Sequence, residues 1–194
     1  MASAPPSTSA PNRTPIPIPD DQDPNFPFGS FNFHVSFQPV PGGSFAAFGS
    51  SQPGFLGGFS DISGIEATME HKVIKTGGRN YGTPVRAGPV TFGTVILKRG
   101  IVQAQPLWTW WSMFAGADGF VDGVPSPANR CHVTIALIRP VAAGGSRSAA
   151  LGWRLVNAMP VKFRIGDLNA KGGEVAVEEI HLVHEGLEMA GVGA

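Results

Sequence analysis

From Phe31 to Phe37 apolar and polar residues alternate strictly, which places Phe31, Phe33, Val35 and Phe37 on one face of a predicted strand. Alternation returns between Ile65 and Lys75, where Ile65, Ala67, Met69, His71 and Val73 share a face expected to be core, and Glu66, Thr68, Glu70 and Lys72 share the opposite one. Further strands are predicted over Val90 to Leu97, Cys131 to Ile138, Leu151 to Val156 and Val161 to Ile165. In a last strand from Glu174 to Val183 the apolar phase moves from Val175 and Val177 to Ile180 and Leu182, a slip that a β-bulge at Glu178-Glu179 would produce. Only one segment has helical spacing. Leu107, Trp110, Trp111 and Phe114 stand at i, i+3, i+4 and i+7, with Pro106 suited to the first turn and Gly116 or Gly119 to the end. About seven short strands and one helix fit a mainly β fold, a small barrel or sandwich.

The segments between these elements differ in kind. Residues 1–27 hold eight of the 18 prolines and show no hydrophobic period, which predicts a flexible arm whose end Phe26 and Phe28 would anchor, ahead of a domain spanning 28–194. The stretch 39–58 is rich in Gly, Ser and Phe, with Phe45, Phe48 and Phe55, and is too long for a simple hairpin connection; it reads either as an interaction element or as an insertion. Thr76-Gly77-Gly78-Arg79-Asn80 is turn chemistry, and the chain up to Pro89 reads as a loop.

Composition sharpens this picture. Charged residues form 14% of the chain, against a usual value of about 25%. So little charge on a domain implies a surface covered by neighbouring subunits or one that associates. The formal net charge of zero removes the global electrostatic footprint of a nucleic-acid binder, although a charged channel wall remains compatible with it. A lone cysteine, Cys131, forbids an intramolecular disulfide and suits a reducing compartment. The first residues lack a signal-peptide pattern, and no apolar run approaches the roughly 18 residues of a membrane span, so stable membrane insertion is not expected.

Candidate chemistry is sparse. His181 and His184, followed by Glu185, suggest a metal site, but residues three apart on a strand point to opposite faces. Gly77-Gly78 lacks the Lys and Ser or Thr of a phosphate loop. No Gly-x-Ser-x-Gly elbow is present, and Cys131 sits in an alternating apolar strand that disfavours a thiolate. Asp118 and Asp122 lack the spacing of a calcium loop. Trp108, Trp110, Trp111 and Phe114 could stack bases or sugars, yet a helical apolar stripe is more often core. Neither catalytic residues nor a cofactor or metal are therefore assigned.

Several segments, in order, carry a resemblance. They are Phe59-Ser60-Asp61-Ile62-Ser63-Gly64-Ile65-Glu66, Gly77-Gly78-Arg79-Asn80, Val95-Ile96-Leu97-Lys98-Arg99-Gly100, and Leu107-Trp108-Thr109-Trp110. Trp153 with Asn157-Ala158-Met159-Pro160-Val161-Lys162 follows, and then Glu174 to Ile180 leading into His184-Glu185-Gly186-Leu187. Across residues 31–189 this series resembles the tail tube family of contractile phage tails and phage-derived contractile injection systems. The resemblance implies a two-sheet barrel with one outer helix, like the ring protein of type VI secretion, assembled as stacked six-membered rings. Implied partners are further copies of the chain, a surrounding sheath, baseplate or spike and cap proteins, and a cargo effector or DNA in the lumen. The particle would be assembled in the cytoplasm and then form part of a phage tail or a released tail-like particle. By the same resemblance Gly77, Gly78 and Asn80 form a loop reaching a neighbour. Lys98, Arg99 and Gly100 close the turn before the helix, and Glu178, Glu179, His184 and Glu185 belong to a terminal strand region in contact with other subunits. The family commonly has an acidic residue where this chain has Thr76, and a shorter loop at 39–58. A tube-end adapter ring and a monomeric barrel holding an apolar ligand, the latter suggested by the 13 Phe, are the competing expectations.

Overall fold

The computed structural model describes residues 33–41, 58–75, 77–79, 81–103, 105–117, 126–138, 149–168, 173 and 175–190. The arm at 1–27, Phe31, most of the 39–58 loop with its three phenylalanines, Thr76, Asn80, Asp118, Asp122 and Glu174 lie outside the described residues.

The chain runs β1 (Phe33–Pro39), β2 (Asp61–Ser63), β3 (Ala67–Val73), β4 (Val85–Phe92), β5 (Val95–Gly100), α1 (Pro106–Ala115), β6 (Cys131–Ile138), β7 (Ala149–Ile165), β8 (Val177–Val183) and β9 (Gly186–Ala190). Seven strands form one sheet along the path β1-β6-β7-β8-β5-β2, with β9 also on β7, while β3 and β4 make a separate two-stranded ribbon. All of these pairings are antiparallel.

The long strand β7 organises the fold. Its first part pairs with β6 on one side and β9 on the other, and its second part pairs with β8. Two half-sheets result: β1, β6, early β7 and β9 form the first, and late β7, β8, β5 and β2 the second. The crossing point is marked by Asn157 at φ +52° and by a register shift between Pro160 and Lys162. Asparagine tolerates the left-handed region, and a bulge bends a strand, so the backbone turns there without breaking. Asn157 to Pro160 therefore join what the sequence divides into two strands, and Pro160 lies beyond the end of the β6 pairing, where a missing N–H is tolerated at an edge.

The inner faces of both halves meet in one core. Val35, Phe37, Val133 and Leu155 come from the first half, Val95, Leu97, Ile180 and Leu182 from the second, and Leu107 and Trp110 from α1. Phe37 meets the Trp110 ring edge-on at 5.7 Å, and the Trp110 indole N–H donates to the Asn129 carbonyl at 2.9 Å, so a bulky aromatic is buried with its one polar atom satisfied. Gly116 ends the helix at φ +72°, its N–H donating to the Ser112 carbonyl. Trp108 faces elsewhere, tilted against Trp111 at 5.2 Å and edge-on to Phe163 at 5.3 Å.

The mainly β, two-sheet, one-helix class matches the sequence reading, but the sheet path ends on β1 and β2 without closing into a barrel among the described residues. The bulge placed at Glu178-Glu179 is a correction. The β5–β8 register is unbroken, the irregularity lies on β7, and the apparent phase slip arises because Glu178 occupies a core-facing position. No described helix is long and apolar enough to cross a membrane.

Candidate assembly surfaces

The β3–β4 ribbon continues the β2–β5 pair outward. Gly64, at φ +79°, makes the bend between β2 and β3, and the Gly93 N–H donates to the Glu66 carbonyl to carry the ladder across it. Met69 stands opposite Val90, and Val73 opposite Val85, so one face of the ribbon is an apolar stripe. The sequence reading takes that face as core; the structure corrects this, because every β3 residue is exposed, Met69 at 57% and Val85 on β4 at 64%. Gly88 and Pro89, read as loop, lie inside β4, where the register shifts opposite Glu70. Two residues facing one is a bulge, which tolerates a proline.

Of the residues singled out in the sequence, Gly77 and Gly78 lie in the connection between β3 and β4, Gly78 at φ +80° with open space where a side chain would go. Lys98, Arg99 and Gly100 form no turn; they are the end of β5. Arg99 and Glu178 are each 1% exposed, with Nε 2.5 Å from Oε1 across the β5–β8 pair and the Arg99 guanidinium 5.8 Å from the Phe59 ring centroid. Their partners lie inside the chain. Lys98 turns the other way, to the outer face, with Nζ 3.2 Å from the Asp61 carboxylate. Glu179 shares that outer face and lies 2.5 Å from His181 Nε2; this hydrogen bond is the main reason its carboxyl is held below the usual range.

His184 and Glu185 fill the short gap between β8 and β9, at the corner where β7 changes half-sheet. The Glu185 carboxylate accepts from Asn157 Nδ2 at 2.8 Å and from Arg130, and these contacts, Asn157 first, depress its pKa. His184 donates from Nδ1 to the Gly186 carbonyl at 2.8 Å, and its ring lies 5.0 Å from Phe92 at the base of the ribbon. Burial lowers its pKa. His181 and His184 thus serve different neighbours. Cys131 is fully buried, which pushes its thiol well up and makes it a small core residue. The sequence reading gave no role to Asp61, opposite Lys98 on β2, or to Arg164, opposite Glu179 on β7. Their signal is visible only once strand register is known, because they lie on different strands far apart in sequence.

The described residues thus form a β-rich chain with an exposed apolar ribbon and a row of ionic contacts on the outer face of its second half-sheet. The family described as T4-like virus tail tube protein gp19 matches residues 29–188, and the chain belongs to that family. No curated protein matches. Among solved structures, a chain of the anti-feeding prophage baseplate is 24% identical, with 86% of this chain and 97% of that one covered and a TM-score of 0.64. A chain of the extended sheath–tube complex of PVC, an extracellular contractile injection system, is 17% identical, with 86% and 93% covered and a TM-score of 0.62. One from the tube-terminating cap of the anti-feeding prophage is 18% identical, with 88% and 95% covered and a TM-score of 0.61. At such identities the likeness is one of fold.

Proposed function

We propose that this chain is the repeating subunit of the inner tube of a contractile, tail-like injection particle, forming six-membered rings that stack around a channel for cargo. One observation carries the reading: the apolar stripe of the β3–β4 ribbon has no cover from the chain's own core. Exposed apolar strands invite association, and in a head-to-tail ring neighbouring copies supply the cover. Membership of the tail tube family and the tube-like fold support it. On this reading Gly77 and Gly78 reach a neighbour from the ribbon's far end, Asn80 is a further contact residue, and Lys98, Glu179, His184 and Glu185 edge the contacts. A sheath surrounds the tube, baseplate or spike and cap proteins close its ends, and an effector or DNA occupies the lumen. Assembly takes place in the cytoplasm, and the subunit performs no catalysis.

A second reading, a terminal ring joining tube to baseplate or cap, is favoured by the equal likeness in fold to chains of a cap and a baseplate structure. A monomeric ligand barrel fits poorly, because Phe37, Trp110 and the other core residues pack the space between the half-sheets. Negative-stain electron microscopy of the full chain, alone and in particles from its source, separates these readings. Stacked sixfold rings in many copies per particle support the tube; one ring per particle supports the adapter; a dispersed monomer at high concentration overturns both.

A further inference from the structure

Two histidines flank the corner where β7 passes from one half-sheet to the other, and backbone chemistry fixes the proton on each. Cys131 pairs with Ala158 and Val133 with Leu155, so Val156 and Asn157 stand opposite His132 alone, a bulge that frees an amide from the ladder. The Asn157 N–H donates to His132 Nδ1 at 3.3 Å. A backbone N–H only donates, so Nδ1 carries no proton and the ring is neutral, protonated on Nε2. His184 has the opposite arrangement. The Gly186 carbonyl, 2.8 Å away, only accepts, so Nδ1 holds the proton, and Nε2 is sealed from solvent with no hydrogen-bond partner among the described residues. Glu185 ties the two sides together, its N–H donating to the Val156 carbonyl and its carboxylate accepting from Asn157.

A proton added to either ring breaks this pattern. On His132 it turns Nδ1 into a second donor facing the Asn157 N–H, and an amide at φ +52° is left unpaired. On His184 it places a charge and an unmatched N–H in a sealed position beside the Phe92 ring. We propose that this corner is an acid-sensitive hinge, locked while His132 and His184 are neutral and loosened when they take up protons. The parts it joins are the two half-sheets, through Asn157, and the base of the ribbon, through Phe92. The surroundings favour the neutral rings. On His132 burial acts first, the Arg154 charge on β7 adds to it, and Glu188 on β9 opposes both. On His184 burial acts against the Gly186 carbonyl, and no charged side chain contributes. The neighbouring Glu185 is committed to Asn157 and Arg130. Both imidazoles therefore titrate below 6.5 in the folded chain, so the opened corner binds protons more readily than the closed one. The corner is most secure above that value and loosens as pH falls through the folded ones. The device belongs to the chain itself and holds for a tube subunit and a terminal ring alike.

Imidazole nitrogen chemical shifts of the full chain at about pH 7.5 test the starting point, since both rings are neutral there. The proton is expected on Nε2 of His132 and on Nδ1 of His184, and either ring in another form overturns the proposal. Amide hydrogen exchange, corrected for its intrinsic pH dependence, then reads the hinge. With one proton taken up on opening, protection of the Asn157 and Glu185 amides should fall about tenfold for each pH unit between the usual imidazole value and the folded one. The Val35 and Leu97 amides, in the core strands, should hold theirs. Level protection at the corner overturns the hinge, and so does an equal loss at Val35 and Leu97, which would be global unfolding. His132→Asn with His184→Asn keeps an acceptor and a donor near the two Nδ1 positions without a titrating ring, and its protection should stay level over the same range. A loss that survives in this variant overturns the assignment to the histidines and gives it to Glu185. Should the double variant fail to fold, the tautomers and the exchange profile of the parent decide by themselves.

Discussion

Arg99 and Glu178 face each other from directly opposed positions on β5 and β8, with Nε 2.5 Å from Oε1 and both side chains sealed in the core. Two charges taken out of water gain little net stability as a pair, but removing one leaves the other buried without its counter-charge. Glu178→Ala is therefore expected to cost about 3–5 kcal/mol by leaving Arg99 buried without its carboxylate. Arg99→Met combined with Glu178→Leu should recover most of that loss. Urea unfolding of the dispersed chain reads both values, and a small loss in the single variant would show that water reaches Arg99.

Gly64 sits where the ribbon leaves the sheet, at φ +79°, and a Cβ there would lie 2.1 Å from the Thr94 carbonyl oxygen. A side chain meets both a left-handed backbone and an immovable backbone atom. Gly64→Ala should cost on the order of 2–3 kcal/mol or more. Gly78→Ala, at φ +80° but in open space, serves as the comparison and should cost about 1 kcal/mol. Equal unfolding midpoints for the two variants would mean that the Gly64 bend relaxes.

The strands that alternate cleanly, Phe33 to Phe37 and Cys131 to Ile138, were legible because one face of each meets the core and the other does not. Alternation fails as a guide where the inside is charged. Glu178 mimics a phase slip, and Arg99, the last residue but one of β5, looks like turn punctuation. It fails again at Gly88-Pro89, where a bulge uses the residues that ordinarily end strands. The β3 stripe was visible, but a pattern of two faces does not say whether the apolar one meets the chain's own core or another chain. Nor does it align Asp61 with Arg164, since register between strands about 100 residues apart is set by packing.

Glu185 is exposed, and its carboxyl is held below 4.5 by Asn157 first and Arg130 second. A depressed folded-state pKa means that the contribution of this corner is complete above the unfolded value and is lost as pH falls through the folded one. Asn157→Gly removes the amide while suiting the positive φ, and should raise the Glu185 pKa toward 4.5. Arg130→Ala should raise it less. Carboxyl chemical shifts followed through an acid titration give both values; the reverse order would mean that the guanidinium, not the amide, dominates.

The ribbon separates stability from assembly. Met69 and Val85 are exposed on its apolar face, so Met69→Lys with Val85→Lys exchanges exposed carbon for exposed charge and should leave unfolding within about 1 kcal/mol of the parent. In the ring proposed above the same side chains would be covered. Each would then carry about 1.5–3 kcal/mol of apolar burial, so the double variant should raise the concentration needed for rings by roughly 100-fold or more. Sedimentation across a concentration series reads the shift, and urea unfolding of the dispersed chain reads the control. A variant that unfolds early yet assembles like the parent would mean that the stripe is covered from within the chain. A variant that is stable and assembles unchanged would place the ribbon outside the contacts altogether, because a lysine pair cannot be buried at an apolar interface without cost.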